Sequence, residues 1–199
     1  MAVDKETGEI YYDPAYQYIF GPPEYDDQKP EQIYKVKKLS PMLRVFKDQI
    51  NIGYPEGGTL TQMNKAMSYN LLHAMKGEAP LYHIEFDKLK FSKGKMETAW
   101  STKMALDAEN KLQVQWAVPE TANRKLIGDD LACIMVYNQS RKHASAVSYM
   151  VTRKELSTEL QLRGIKPGDT IHAWIFFYAP DGTQESNTDY LGSLDIPKT

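Results

Sequence analysis

The sequence predicts an α+β protein in which an amino-terminal extended arm and short helices pack on a carboxy-terminal, mainly antiparallel β-sandwich of immunoglobulin or fibronectin type III kind. Three observations carry this. Short alternating or apolar runs, punctuated by Gly, Asn, Asp and Pro, fill the chain beyond Pro80, as the strands of a sandwich do. Two of those runs, Leu131 to Tyr137 and Thr170 to Tyr178, are apolar on both faces. Helical periodicity precedes them, so helices can supply the second cover that a doubly apolar sheet needs.

Thr170 to Tyr178 reads Thr-Ile-His-Ala-Trp-Ile-Phe-Phe-Tyr between Pro167-Gly168-Asp169 and Asp181-Gly182. Strand alternation sets Ile171, Ala173, Ile175 and Phe177 against His172, Trp174, Phe176 and Tyr178, so the run belongs at the centre of its sheet. Leu131 to Tyr137 is its expected neighbour, the two corresponding to the third and sixth strands of an immunoglobulin-like sandwich.

Taken in order, residues 1–30 are rich in Tyr, Pro and acid, with two lysines against seven carboxylates. So many prolines predict an extended arm, and its aromatic residues Tyr11, Tyr12, Tyr16, Tyr18, Phe20 and Tyr25 are the candidate interface. They serve a neighbouring molecule or pack on their own domain. Residues 31–79 form the helical region. Ile33, Val36, Leu39, Leu43, Phe46 and Ile50 recur at helical spacing, and Pro41 predicts one helix ending near Leu39 and a second capped by Ser40. Five bases against two acids between Glu31 and Asn51 give this stretch the charge opposite to the arm's. That face is either solvated or attracted to the arm of a neighbouring copy. Thr59-Leu-Thr-Gln62 has the form of a capping box for a third helix through Met63, Ala66, Met67, Asn70, Leu71 and Ala74, closed by Gly77. Residues 80–199 are the sandwich, its candidate strands Leu81 to Phe91, Glu97 to Asp107, Lys111 to Val118, Leu131 to Asn138, Ala144 to Val151, Thr158 to Leu162, Thr170 to Tyr178 and Gln184 to Leu191.

A net charge of -2 over 199 residues leaves no global field for nucleic acid or an anionic membrane. The one cysteine, Cys133, excludes an internal disulfide and reads as a small buried hydrophobe. Neither a signal peptide nor a membrane-spanning run is legible, so the expectation is a chain made in the cytoplasm and kept soluble, which leaves the cell only by lysis or inside a particle such as a virion.

Several stretches, in order, resemble an uncharacterised protein family of Bacteroidetes bacteria over about residues 55–192. They are Asn64-Lys-Ala-Met-Ser-Tyr-Asn70, Gly77-Glu78, Ile84-Glu-Phe-Asp-Lys-Leu89, Ser92-Lys-Gly94, Val136-Tyr-Asn138, Gly168-Asp169, Asp181-Gly182 and Ser186-Asn-Thr-Asp-Tyr-Leu-Gly192. The closing Tyr-Leu-Gly is similar to the last strand of fibronectin type III modules. The resemblance implies the sandwich and no catalytic residues. Family members usually open on a glycine-rich basic segment, from which the acidic arm departs.

No catalytic, cofactor-binding or metal-binding residue is assigned. His73, His83, His143 and His172 pair with no other ligand at metal spacing, and no nucleophile elbow or glycine-rich phosphate loop occurs. Asp129, Asp130, Asp181, Glu185 and Asp189 could form a calcium site or a glycosidase pair, but fall at expected turns and read as solvated carboxylates. Trp100, Trp116 and Trp174 read as core, with a sugar-stacking platform as the alternative. The expectation is therefore a non-enzymatic structural or assembly protein without cofactor. Its partners are further copies or other subunits of a particle, most specifically a phage virion, with no nucleic acid, membrane or small-molecule ligand. A glycan-binding or adhesion module, or a bacterial scaffold, is the alternative.

Overall fold

A computed structural model describes residues 2–3, 10–11, 29–54, 57–119 and 128–198. Strands β1 (Ala2–Val3) and β2 (Ile10–Tyr11) pair antiparallel, Ala2 opposite Tyr11 and Val3 opposite Ile10. Helices α1 (Lys29–Val45), α2 (Lys47–Gly53) and α3 (Gln62–His73) follow. After a two-residue hairpin of β3 (Met75–Lys76) and β4 (His83–Ile84) come seven strands: β5 (Trp100–Leu106), β6 (Lys111–Ala117), β7 (Leu131–Asn138), β8 (His143–Thr152), β9 (Ser157–Gln161), β10 (Thr170–Tyr178) and β11 (Asp189–Asp195). They form two antiparallel sheets, β5-β6-β9 and β11-β10-β7-β8. That order, three strands facing four with the third and sixth of the seven paired at the centre, is the fibronectin type III arrangement.

β7 and β10 pair along their whole length, from Ile171 opposite Asn138 to Tyr178 opposite Leu131. Because alternate side chains leave by opposite faces, this pair feeds two cores. Ala132, Ile134, Val136, Ile171, Ala173, Ile175 and Phe177 enter the space between the sheets with Leu112, Val114, Trp116 and Leu160. Cys133, Met135, Tyr137, Trp174 and Phe176 point outward against Leu39 and Leu43 of α1, Ile50 of α2 and Phe46 between the two helices. The helices are the cover that the doubly apolar strands require. Trp174 is fully buried there, its ring N–H donating to the Phe86 carbonyl at 3.0 Å.

Several boundaries differ from expectation. α1 runs straight through Pro41, and the break comes at Phe46 instead. Proline deletes one bond, to the carbonyl of Lys37, and both residues are exposed, so the loss falls on the solvent side of the helix. Burial of Leu39, Met42, Leu43 and Phe46 along one stripe holds the helix together. Ile33 and Val36 lie on the exposed part of α1, contrary to the periodicity. The cap of α3 is Thr61, accepting from Asn64 N–H at 3.2 Å, not Thr59; Ala74 ends the helix, and Gly77 sits at φ +104 in the following turn. Leu81 to Phe91 contains only the short β4 and a 3-10 turn, Phe86–Lys88. The last strand begins at Asp189 rather than Gln184, because Ser186 and Thr188 are consumed in anchoring the loop before it.

Candidate interaction surface

Several of the residues that carry the family resemblance join the helical layer to the sandwich. Asn70, fully buried on α3, donates to the Lys90 carbonyl at 2.8 Å and accepts from the Lys90 N–H at 2.8 Å. The Thr188 hydroxyl accepts from the Phe91 and Ser92 N–H groups at 2.9 and 2.8 Å and contacts the Ser92 hydroxyl at 2.8 Å. Ser186 accepts from the Phe177 N–H at 2.9 Å. Close backbone approach does the rest. A Cβ on Gly53 would stand 2.3 Å from the Phe91 carbonyl oxygen, and one on Gly94 1.8 Å from that of Glu185.

The carboxylates read as solvated divide. Asp129 and Asp181 are exposed, the latter closing its own turn by accepting from the Thr183 N–H at 3.0 Å. Asp130 and Glu185 are buried and Asp189 half-buried, because their turns fold back onto the sheets; burial raises all three above the usual carboxylate range. Asp130 lies 3.1 Å from Arg153 Nε, an ionic contact outside hydrogen-bonding angles, and the Arg153 guanidinium covers the Phe177 ring at 3.7 Å. Among the described residues no group of three His, Cys, Asp or Glu could hold a metal ion, and no helix is long and apolar enough to cross a membrane. Trp116 and Trp174 are buried and Trp100 alone is exposed, so the three do not make a stacking row. Of the candidate interface, Tyr11 falls in β2, and Tyr12, Tyr16, Tyr18, Phe20 and Tyr25 lie outside the described residues.

The surface that stands out is on α1. Its turns from Glu31 to Lys38 are exposed except at Lys35, whose ammonium lies 4.8 Å from the Tyr82 ring centroid. Ile33, Tyr34 and Val36 are 49%, 42% and 38% exposed. Beside them opens a cleft of about 380 Å³ between α1, β4 and the end of β7. Lys37, Lys38 and Lys142 stand on its rim, and Met42, Phe86 and Tyr137 line its floor.

Each part has a local cause. Lys142 adopts φ +58 to close the β7–β8 turn, its N–H donating to the Asn138 carbonyl at 2.7 Å. Asp169 steadies this turn by accepting from Asn138 Nδ2 at 2.8 Å and Arg141 Nε at 2.6 Å; these bonds, with one from the Lys166 N–H, hold its carboxyl below the usual range. Arg141 is thereby paired, whereas Lys142 has no ion pair among the described residues, nor do Lys37 and Lys38. Among the described residues no carboxylate lines the cleft, and Glu85 on the neighbouring turn is paired with Lys88 at 2.6 Å and Lys76 at 3.6 Å.

Beneath the floor, Phe86 stacks on His172 with centroids 4.0 Å apart and planes 11° apart. His172 Nδ1 lies 2.7 Å from the Tyr190 hydroxyl and Nε2 lies 2.7 Å from Gln139 Oε1, so a neutral ring that donates from Nε2–H and accepts at Nδ1 satisfies both contacts. Burial lowers its pKa to about 4, so this ring adds no charge beneath the lysines at neutral pH. Sequence reading found the basic stretch of α1 but not the cleft. Lys142 and Phe86 are remote from it in sequence, and only folding gathers them.

Fold and surface together define a fibronectin-type sandwich with a helical layer on one face. A family profile matches residues 23–192, and the chain belongs to that family, DUF6266, a family of unknown function. Among curated proteins none matches the chain. In structure, a fibronectin type III domain of human contactin 1 is similar at 13% identity and TM-score 0.36, over 54% of this chain and 83% of that domain. A fourth fibronectin type III domain from human is similar at 15% identity and TM-score 0.33, over 62% of this chain and 95% of that one.

Proposed function

We propose that this protein is a non-enzymatic structural subunit that binds protein, its copies assembling through the exposed turns of α1, and that its place is in a phage particle of the Bacteroidetes hosts suggested by the resemblance. One observation carries the reading. Ile33, Tyr34 and Val36 are exposed apolar side chains on the turns of α1 before its buried stripe begins at Leu39, and they stand among Lys35, Lys37 and Lys38. A second feature agrees with assembly. Residues 1–28, before α1, carry one lysine against seven acids, and α1 is basic, so charge can draw one copy's arm to another's helix. A bacterial scaffold would use the same surface; recovery of the chain with purified phage particles separates the two.

The test is the mass of the native species as a function of concentration. The full chain is expected to associate into multiples of 22.7 kDa, and the paired replacement Ile33→Glu with Val36→Glu, at exposed positions, to return it to the monomer. A wild-type chain that stays monomeric at every concentration would overturn the reading.

A further inference from the structure

We propose that the cleft between α1, β4 and the β7–β8 turn receives residues 12–28 of a second copy. This inference rests on the assembly reading above and names its contact. The cleft combines Lys37, Lys38 and Lys142, which have no ion pair among the described residues, with an apolar and aromatic floor of Met42, Phe86 and Tyr137. Such a site suits an extended chain carrying both carboxylates and rings, because lysines attract the former and the floor accepts the latter. Residues 12–28 have that chemistry. They hold Asp13, Glu24, Asp26 and Asp27 with no Lys or Arg, among Tyr12, Tyr16, Tyr18, Phe20 and Tyr25.

The occupant comes from a second copy because the cleft is continuous with the exposed face of α1. Ile33 and Tyr34 lie one turn before Lys37 and Lys38, so they are neighbours on the helix surface. A chain's own arm could fill its cleft but would leave Ile33, Tyr34 and Val36 bare. A neighbouring copy brings an arm for the cleft and a body for the apolar turns.

A charge exchange between two full-length variants tests this. One carries Lys37→Glu, Lys38→Glu and Lys142→Glu; the other carries Glu24→Lys, Asp26→Lys and Asp27→Lys. All three lysines are exposed, so their replacement leaves the fold intact. Each variant alone sets like charges against each other and is expected to lose the higher-mass species in low salt, whereas an equimolar mixture restores both arm-to-cleft pairings and recovers it. Recovery only on mixing requires an intermolecular contact. If each variant alone keeps the wild-type mass, the cleft is not the docking site, although the assembly reading survives wherever Ile33→Glu with Val36→Glu still gives monomer. If both variants lose mass and mixing does not restore it, the arm-to-cleft pairing is wrong. A wild-type monomer at every concentration would overturn both proposals.

Discussion

At the scale of single residues, stability is concentrated where a buried polar group answers another. Asn70 satisfies both backbone groups of Lys90, so Asn70→Ala would leave a donor and an acceptor buried and empty. A loss of about 2–4 kcal/mol in chemical denaturation is expected, and a loss under about 1 kcal/mol would show that water takes the place of the amide. His172 sets a pH dependence whose sign follows from its burial. The ring titrates at 6.5 when free and about 4 in the fold, so between those values the unfolded chain binds a proton that the folded one refuses. Stability from this site is complete above the free value and declines as pH falls toward the folded one. The difference in urea midpoint between pH 7 and pH 5 should shrink in His172→Gln; an unchanged difference would move the effect to another group. Neither role was legible beforehand, since Asn70 reads as one more position on a helix and the bonds of His172 come from Tyr190 and Gln139.

At the scale of elements, α1 and α2 owe their place to the sheet beneath them. Phe46, at the break between the two helices, meets the rings of Phe91, Tyr137 and Trp174 edge-on, with centroids 5.2, 6.2 and 6.3 Å away. Phe46→Ala should cost about 3–5 kcal/mol, combining lost transfer energy with a cavity the rigid sheet cannot close. Hydrogen exchange would show faster exchange in α1 and α2 than in β6 and β9; equal acceleration everywhere would mean that helices and sandwich open only together. β8 shows a different economy. It is an edge strand of ten residues without Asp, Glu, Lys, Arg or Pro, the composition of an aggregation-prone edge. Two register irregularities along its pairing with β7 interrupt the ladder, leaving no long regular edge to template another chain.

At the scale of the molecule, one sheet serves two cores. The sequence by itself determined the class of fold, because a strand apolar on both faces can be stable only between two layers, and Leu131 to Tyr137 and Thr170 to Tyr178 are such strands. It also determined the charge contrast between arm and α1, which needs only counting. Tertiary structure alone decided where α1 breaks, since local preference placed the break at Pro41 while burial of Leu43 and Phe46 across the sheet outweighed it. It decided as well that Ile33 and Val36 stay in solvent although they lead up to Leu39 at intervals of three. Periodicity says that a face is apolar, but not how far the surface it packs on extends. The cleft followed the same rule, for Lys38, Phe86 and Lys142 are distant in sequence and meet only because the turn after β7 returns beside α1.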